Sequence, residues 1–154
     1  MNKEQLENLV VVPALMEIPR GYSDDAVLAI MMIIAHESAR AKYIKQVNGP
    51  ALGLIQMEPL THDDVWTNSD TIWNNAALLG IVTENEAFIR THPPASRLIY
   101  DLRYNVFMAR QRLFMDVNPL PSDKESMSKY LKGYWNSNAG AASQDSYLND
   151  YEVW

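Results

Sequence analysis

Between Val27 and Ala35 the chain runs Val-Leu-Ala-Ile-Met-Met-Ile-Ile-Ala without a polar interruption, just after Ser23-Asp24-Asp25. Ser23 has the chemistry of an N-cap, and the two aspartates suit the positive end of a helix dipole. Alanine, leucine and methionine favour helix over a buried strand. The pattern predicts a helix to about Ser38, and a helix apolar on every face is a buried one, so this is the expected centre of the domain. A shorter helix is expected from Lys3 to Val10, ending before Pro13. Asn48-Gly49-Pro50 and Gly53 are turn chemistry, and a small hairpin fits around residues 43 to 57. Thr61 and Asp64 have capping-box spacing for a short helix through Trp66, and Asn68 to Leu79 fits another. After Pro93-Pro94, Ser96 to Val117 reads as one long helix whose stripe is Leu98, Leu102, Val106, Ala109 and Leu113. Ser122 and Glu125 form a capping box for a helix carrying Met127, Leu131, Tyr134 and Trp135, and a last helix is expected over Gln144 to Tyr151. The fold class expected is mainly α, with at most a small β-hairpin.

Composition narrows the range of functions. The chain has 154 residues, 47% apolar and 21% charged, with no repeat or low-complexity linker, so one domain over 1–154 is expected. No apolar run approaches the roughly 18 residues that span a bilayer, so no membrane insertion is expected. The mixed-charge start, Met1-Asn2-Lys3-Glu4, and Pro13 within the apolar stretch Leu9 to Met16 make a poor signal peptide. The absence of cysteine excludes disulfides, thiolate nucleophiles and Cys-type zinc sites. A net charge of −6 argues against nucleic acid as a partner, because phosphate binding relies on Lys and Arg. Recognition of an anionic polymer would therefore depend on shape and hydrogen bonds in a cleft.

Glu37 stands at the C-terminal end of the apolar helix. A carboxyl leaving an apolar wall loses hydration, and the negative end of a helix dipole acts in the same sense; both favour the protonated form. A carboxylic acid is what cleavage of a glycosidic bond needs to protonate the leaving oxygen. Position alone does not distinguish this role from that of a solvated residue at a helix end.

Three blocks add to that position. Glu37-Ser38 is followed by Gly53-Leu54-Ile55-Gln56. Tyr104-Asn105-Val106 with Arg112-Leu113 comes next, then Tyr134-Trp135-Asn136. In order and spacing they resemble the soluble lytic transglycosylase family of the lysozyme-like superfamily, over roughly residues 24 to 142. In that family a Glu-Ser pair ends a buried helix, a Gly-Leu-Met-Gln segment lines the cleft, and the tyrosine of an Ala-Tyr-Asn block lies beside the catalytic acid. Ile55 replaces the family's methionine. The last block admits two registers: Tyr134 with Asn136, preferred because it keeps an aromatic hydroxyl, or Asn138-Ala139-Gly140 with Ser137 in the tyrosine's place. The segment Glu58 to Trp66 departs from the usual continuation and resembles versions in bacteriophage cell-wall lytic proteins.

The resemblance implies a single-domain lysozyme-like fold acting on peptidoglycan glycan strands at the MurNAc-GlcNAc bond. Glu37 is the implied catalytic residue; Ser38, Gly53, Leu54, Gln56, Tyr134 and Asn136 are the implied substrate-binding residues; no cofactor is implied. In that route Glu37 acts alone, first as acid and then as base. It draws the substrate's own C6 hydroxyl onto the anomeric carbon to give a 1,6-anhydro sugar, with the N-acetyl group assisting. The alternatives are a hydrolytic muramidase that adds a second carboxylate from Glu58, Asp63 or Asp64, and a non-catalytic virion module. Of the candidate sugar platforms Tyr43, Trp66, Trp73, Tyr104 and Trp135, at most two are expected to meet ligand, since most aromatics are core. His36-Glu37 is not a zinc-protease motif, because position 40 is Arg where a second His is required. His62, Asp63 and Asp64 are metal-ligand types, but neighbours without a distant partner make no metal site, and none is expected. No Gly-x-Ser-x-Gly elbow is present. Without a signal peptide, the expected location is a phage virion, with other virion proteins as partners, or the host cytoplasm before delivery to the wall.

Overall fold

The computed structural model describes residues 1–136 and 143–154. Helices account for nearly all its regular structure, and no β-strand occurs among the described residues. In chain order they are α1 (Lys3–Leu6), a π-helical segment (Glu7–Val11), α2 (Val12–Glu17), α3 (Asp24–Glu37), α4 (Pro59–Asn68) and α5 (Ile72–Leu78). These are followed by α6 (Glu84–Ile89), α7 (Arg97–Tyr100), α8 (Leu102–Phe114), α9 (Lys124–Tyr134) and α10 (Ser146–Glu152). Among the described residues, no helix is long and apolar enough to cross a membrane.

α3 is the centre of the core, as its composition predicts. The Ser23 side chain accepts from the Ala26 N–H at 3.0 Å, and from Ala26 to Ala35 every residue but Leu28 is buried. α8, α9, α10 and the π-helical segment pack around it, bringing Phe107, Met108, Leu131 and Tyr147 into one continuous core. α8 is buried over far more than a single stripe: Arg110 reaches across to donate to the Gly21 carbonyl at 2.8 Å, and Gln111 accepts from Thr71 at 2.6 Å.

Several boundaries differ from the sequence expectation. Pro13 does not end the first helix. The preceding turn widens to π register, with the Val12 N–H reaching back to the Glu7 carbonyl, and Pro13 falls in the first turn of α2 where its missing N–H costs nothing. α4 starts at Pro59, so Thr61 lies inside the helix and caps nothing. The helix expected from Ser96 to Val117 is two helices, because Asp101 is extended and its carboxylate caps α8 by accepting from the Tyr104 N–H at 3.0 Å. α9 is capped by Asp123, not Ser122; the Ser122 hydroxyl instead donates to Asp25 of α3 at 3.3 Å. α6 was not expected, although Thr83 and Glu86 form a complete capping box.

The stretch expected as a hairpin is reduced to two isolated antiparallel bridges, Lys45 with Leu52 and Leu52 with Met57. The turn that Leu52 and Met57 close is Gly53-Leu54-Ile55-Gln56, and it needs positive φ at both ends: +78° at Gly53 and +45° at Gln56. A Cβ on Gly53 would lie 2.2 Å from Asn105 Oδ1 and 2.8 Å from the Leu98 carbonyl, so the turn sits directly against α8. Immediately after α3, Ala39, Arg40 and Ala41 are all left-handed, at φ 50°, 60° and 59°. Each non-glycine residue held there costs on the order of 1–2 kcal/mol, so packing must hold this turn in place.

Candidate functional site

The end of α3 carries the candidate chemistry. Glu37 is half-buried, and its Oε1 accepts a hydrogen bond from the Tyr147 hydroxyl at 2.5 Å. Among the described residues Glu37 Oε2 makes no hydrogen bond, so the two oxygens have different surroundings. Tyr147 is itself buried on α10. Desolvation, then the charge and hydrogen bond of Glu37, push its hydroxyl far above the ordinary tyrosine value, so it stays protonated and donating. Asn136 lies close enough to the Tyr147 hydroxyl to oppose that shift, and its Oδ1 accepts from the Lys132 ammonium at 3.1 Å.

Helix α10 is fixed on α3 beside this contact. The His36 ring packs against Tyr147 at 4.3 Å between centroids, while His36 Nδ1 lies 2.7 Å from Asp150 Oδ2. Arg40, held in the left-handed turn, reaches the other oxygen of Asp150 at 3.5 Å. The strained turn thus contributes a cation to the anchor of the helix that carries Tyr147.

Arg112 lies within electrostatic reach of Glu37. Burial lowers its value below that of a free guanidinium, while Tyr134, Tyr147, Glu37 and Asp64, all within electrostatic reach, act in the opposite sense. It donates to the carbonyls of Tyr134 and Trp135 and stacks over the Trp135 ring at 4.4 Å. Arg112 also lines an open groove of about 370 Å³, together with Leu60, Thr61, Asp64, Val65, Met115 and Tyr134.

The other residues singled out in the sequence fall in different places. Ser38 is fully buried and donates to the Ile34 carbonyl at 2.9 Å, so it ends α3 and does not orient Glu37. Leu54 is buried in the core. Gln56 is half-buried and uses its amide to donate to the Gly53 carbonyl at 2.8 Å, tying its own turn. Tyr134 does not touch Glu37: its hydroxyl donates to the Arg112 carbonyl at 2.5 Å. Tyr147 is the tyrosine whose hydroxyl meets Glu37. The alternative register, on residues 137–140, lies outside the described residues. Asn136 lies near Tyr147, the partner of Glu37. Of the five aromatic platforms, Trp66, Tyr104 and Trp135 are buried, leaving Tyr43 and Trp73 with accessible surface.

Two residues were missed as partners of known chemistry. Tyr147 is one, and no spacing signal singles it out among the tyrosines of the C-terminal segment. His92 is the other. It lies beside His62 and Asp63, and the three side chains each offer one ligand atom, all within 4.8 Å of one another. Among Glu58, Asp63 and Asp64, the candidates for a second carboxylate, Asp63 is therefore engaged elsewhere, by His62 at 2.8 Å. Glu58 is exposed ahead of α4, and Asp64 alone shares the groove with Arg112.

No protein-family model, curated protein or solved structure matches this chain.

Proposed function

We propose that this chain is a lysozyme-like peptidoglycan lytic enzyme in which Glu37 cleaves the MurNAc-GlcNAc β-1,4 bond as a lytic transglycosylase. One observation carries the reading: a carboxyl at the end of the buried central helix has Oε1 held by a permanently protonated tyrosine hydroxyl, while Oε2 makes no hydrogen bond among the described residues. The motif order from Glu37 to Asn136 supports it, as does the contact between the Gly53 turn and Asn105, which brings two of the three blocks together.

In this mechanism Glu37 delivers its proton from Oε2 to the leaving glycosidic oxygen as the anomeric C–O bond breaks. Its carboxylate then takes the proton of the substrate's C6 hydroxyl, whose oxygen bonds to the anomeric carbon. The products are a 1,6-anhydro sugar and a free 4-hydroxyl, with Glu37 protonated again and no water consumed. The Tyr147 hydroxyl stabilises the carboxylate between the two steps, and the Arg112 charge acts in the same direction. Peptidoglycan strands are the partner, and delivery by other virion proteins is the route to the wall.

Hydrolysis is the second reading, favoured by Asp64 in the groove beside Arg112. Digestion of purified peptidoglycan followed by mass spectrometry separates the two. Anhydro products from the wild type and none from Glu37→Gln are expected. Exclusively reducing-end products would transfer the assignment to a hydrolase, and no release by folded wild-type protein would leave a non-catalytic module.

A further inference from the structure

We propose that His62, Asp63 and His92 form a binding site for a zinc-class divalent cation, which pins the segment between α6 and α7 onto α4. The observation is independent of the lytic reading. His62 Nδ1 lies 2.8 Å from Asp63 Oδ1, and His92 Nε2 lies 3.9 Å from the same oxygen. Tetrahedral zinc with bonds of roughly 2.0–2.1 Å sets its ligand atoms about 3.3 Å apart. These two spacings lie on either side of that value and all three ligand atoms are within 4.8 Å of one another, so an inward movement of His92, which sits in a loop, would complete three corners of the coordination shell. His92 is half-buried in a loop and Asp63 is exposed, so water can reach the remaining position.

Each histidine is held at its far nitrogen by an oxygen. His92 Nδ1 lies 2.7 Å from the Pro93 carbonyl, which can only accept; the ring proton is therefore on Nδ1, and the Nε2 lone pair faces the cluster. His62 Nε2 lies 2.7 Å from the Tyr104 hydroxyl, which also accepts from the Trp66 indole at 2.9 Å. Without a cation, the Tyr104 hydroxyl donates to Nε2 and Nδ1–H donates to Asp63. On binding, the His62 proton moves from Nδ1 to Nε2, whose N–H then donates a hydrogen bond to the Tyr104 oxygen, and Nδ1 becomes the ligand. An oxygen partner on the outer nitrogen is how metal-bound imidazoles are oriented. The His92 ring is further fixed by stacking on Trp66 at 5.4 Å with planes 12° apart. Two imidazoles and one carboxylate select zinc-class ions over calcium or magnesium, which prefer oxygen ligands.

The test titrates metal-free full-length protein with Zn2+ by calorimetry and with Co2+ by its visible absorption, while histidine ring nitrogens are followed by NMR. One equivalent should bind, with shifts confined to His62 and His92 and a change of tautomer at His62. His92→Ala and Asp63→Asn, both on accessible side chains, should each weaken Zn2+ binding by at least about tenfold, with circular dichroism unchanged. His36→Gln, which removes the remaining imidazole, should leave affinity intact. Absence of saturable binding, affinity insensitive to His92→Ala and Asp63→Asn, or shifts at His36 alone would overturn the proposal.

Discussion

At Glu37 the two carboxylate oxygens have different work available to them, and the difference comes from one residue. Tyr147 stays protonated across the working pH range because burial and the adjacent carboxylate both oppose its ionisation, so its hydroxyl always donates to Oε1. Hydrogen bonds to charged groups are worth about 1.5–3 kcal/mol. In the proposed mechanism that stabilisation applies to the carboxylate formed after proton delivery. Tyr147→Phe keeps the buried ring and deletes only the donor, so the rate of glycan release should fall about 10- to 100-fold with the helical circular dichroism intact. Unchanged turnover in a folded Tyr147→Phe protein would remove Tyr147 from the mechanism. Tyr134→Phe, by contrast, interrupts only a bond to a main-chain carbonyl of α8.

At the scale of elements, the short polar residues at helix ends decide where each helix starts. Asp101 divides the expected long helix by capping α8, and Asp123, one residue beyond Ser122, caps α9. Asp123 has Ser122 beside it and either satisfies the capping pattern, so the backbone direction at the entry to the helix selects one; Asp101 lies inside what reads as a continuous helical stretch, and its extended backbone is what makes it a cap. The Asp123 carboxylate is held below its ordinary value of 3.8 chiefly by the backbone N–H of Ser126. A depressed folded value means the contribution is present above about pH 3.8 and is lost as pH falls through the lower folded value. Asp123→Ala should therefore melt at a lower temperature than wild type at neutral pH, and the two melting curves should converge below pH 3.8. A gap independent of pH would show that the cap acts through something other than its charge.

Across the whole molecule, distant segments meet at points that tolerate no added atom. Gly53 is one: it is left-handed and its α-carbon faces Asn105 Oδ1, a buried oxygen with no hydrogen-bond partner among the described residues. Asn105 cannot swing aside, because its amide donates to the carbonyls of Leu98 and Asp101, both at 2.8 Å. Gly53→Ala should cost about 2–4 kcal/mol, combining backbone strain with overpacking, and lower Tm by roughly 5–15 °C. A melting temperature within error of wild type would show that α8 yields at this contact. The C-terminal helix is tied in by the same kind of long-range contact. Asp150 meets His36 and Arg40, Lys3 donates to the Tyr151 carbonyl at 2.9 Å, and Lys124 pairs with Glu152.

The central helix, its cap and the position of Glu37 at its end were legible in the sequence. They depend on local composition and on an apolar run long enough to require burial on every side. Gly53 was legible as a turn position too, because glycine takes left-handed backbone readily, but the turn's other left-handed end at Gln56 was not. What the sequence left open was which residues meet across long separations. Several tyrosines are chemically equivalent, and only the packing of α10 on α3 selects Tyr147 over Tyr134 as the partner of Glu37. Nothing in the sequence singles out His92; the segment before α7 folds back over Trp66 and sets it beside His62 and Asp63. Side-chain type and local periodicity act over a few residues, whereas these pairings are set by how the helices close around a shared core. Sequence therefore determined the central helix and its carboxyl; tertiary structure decided the company that carboxyl keeps.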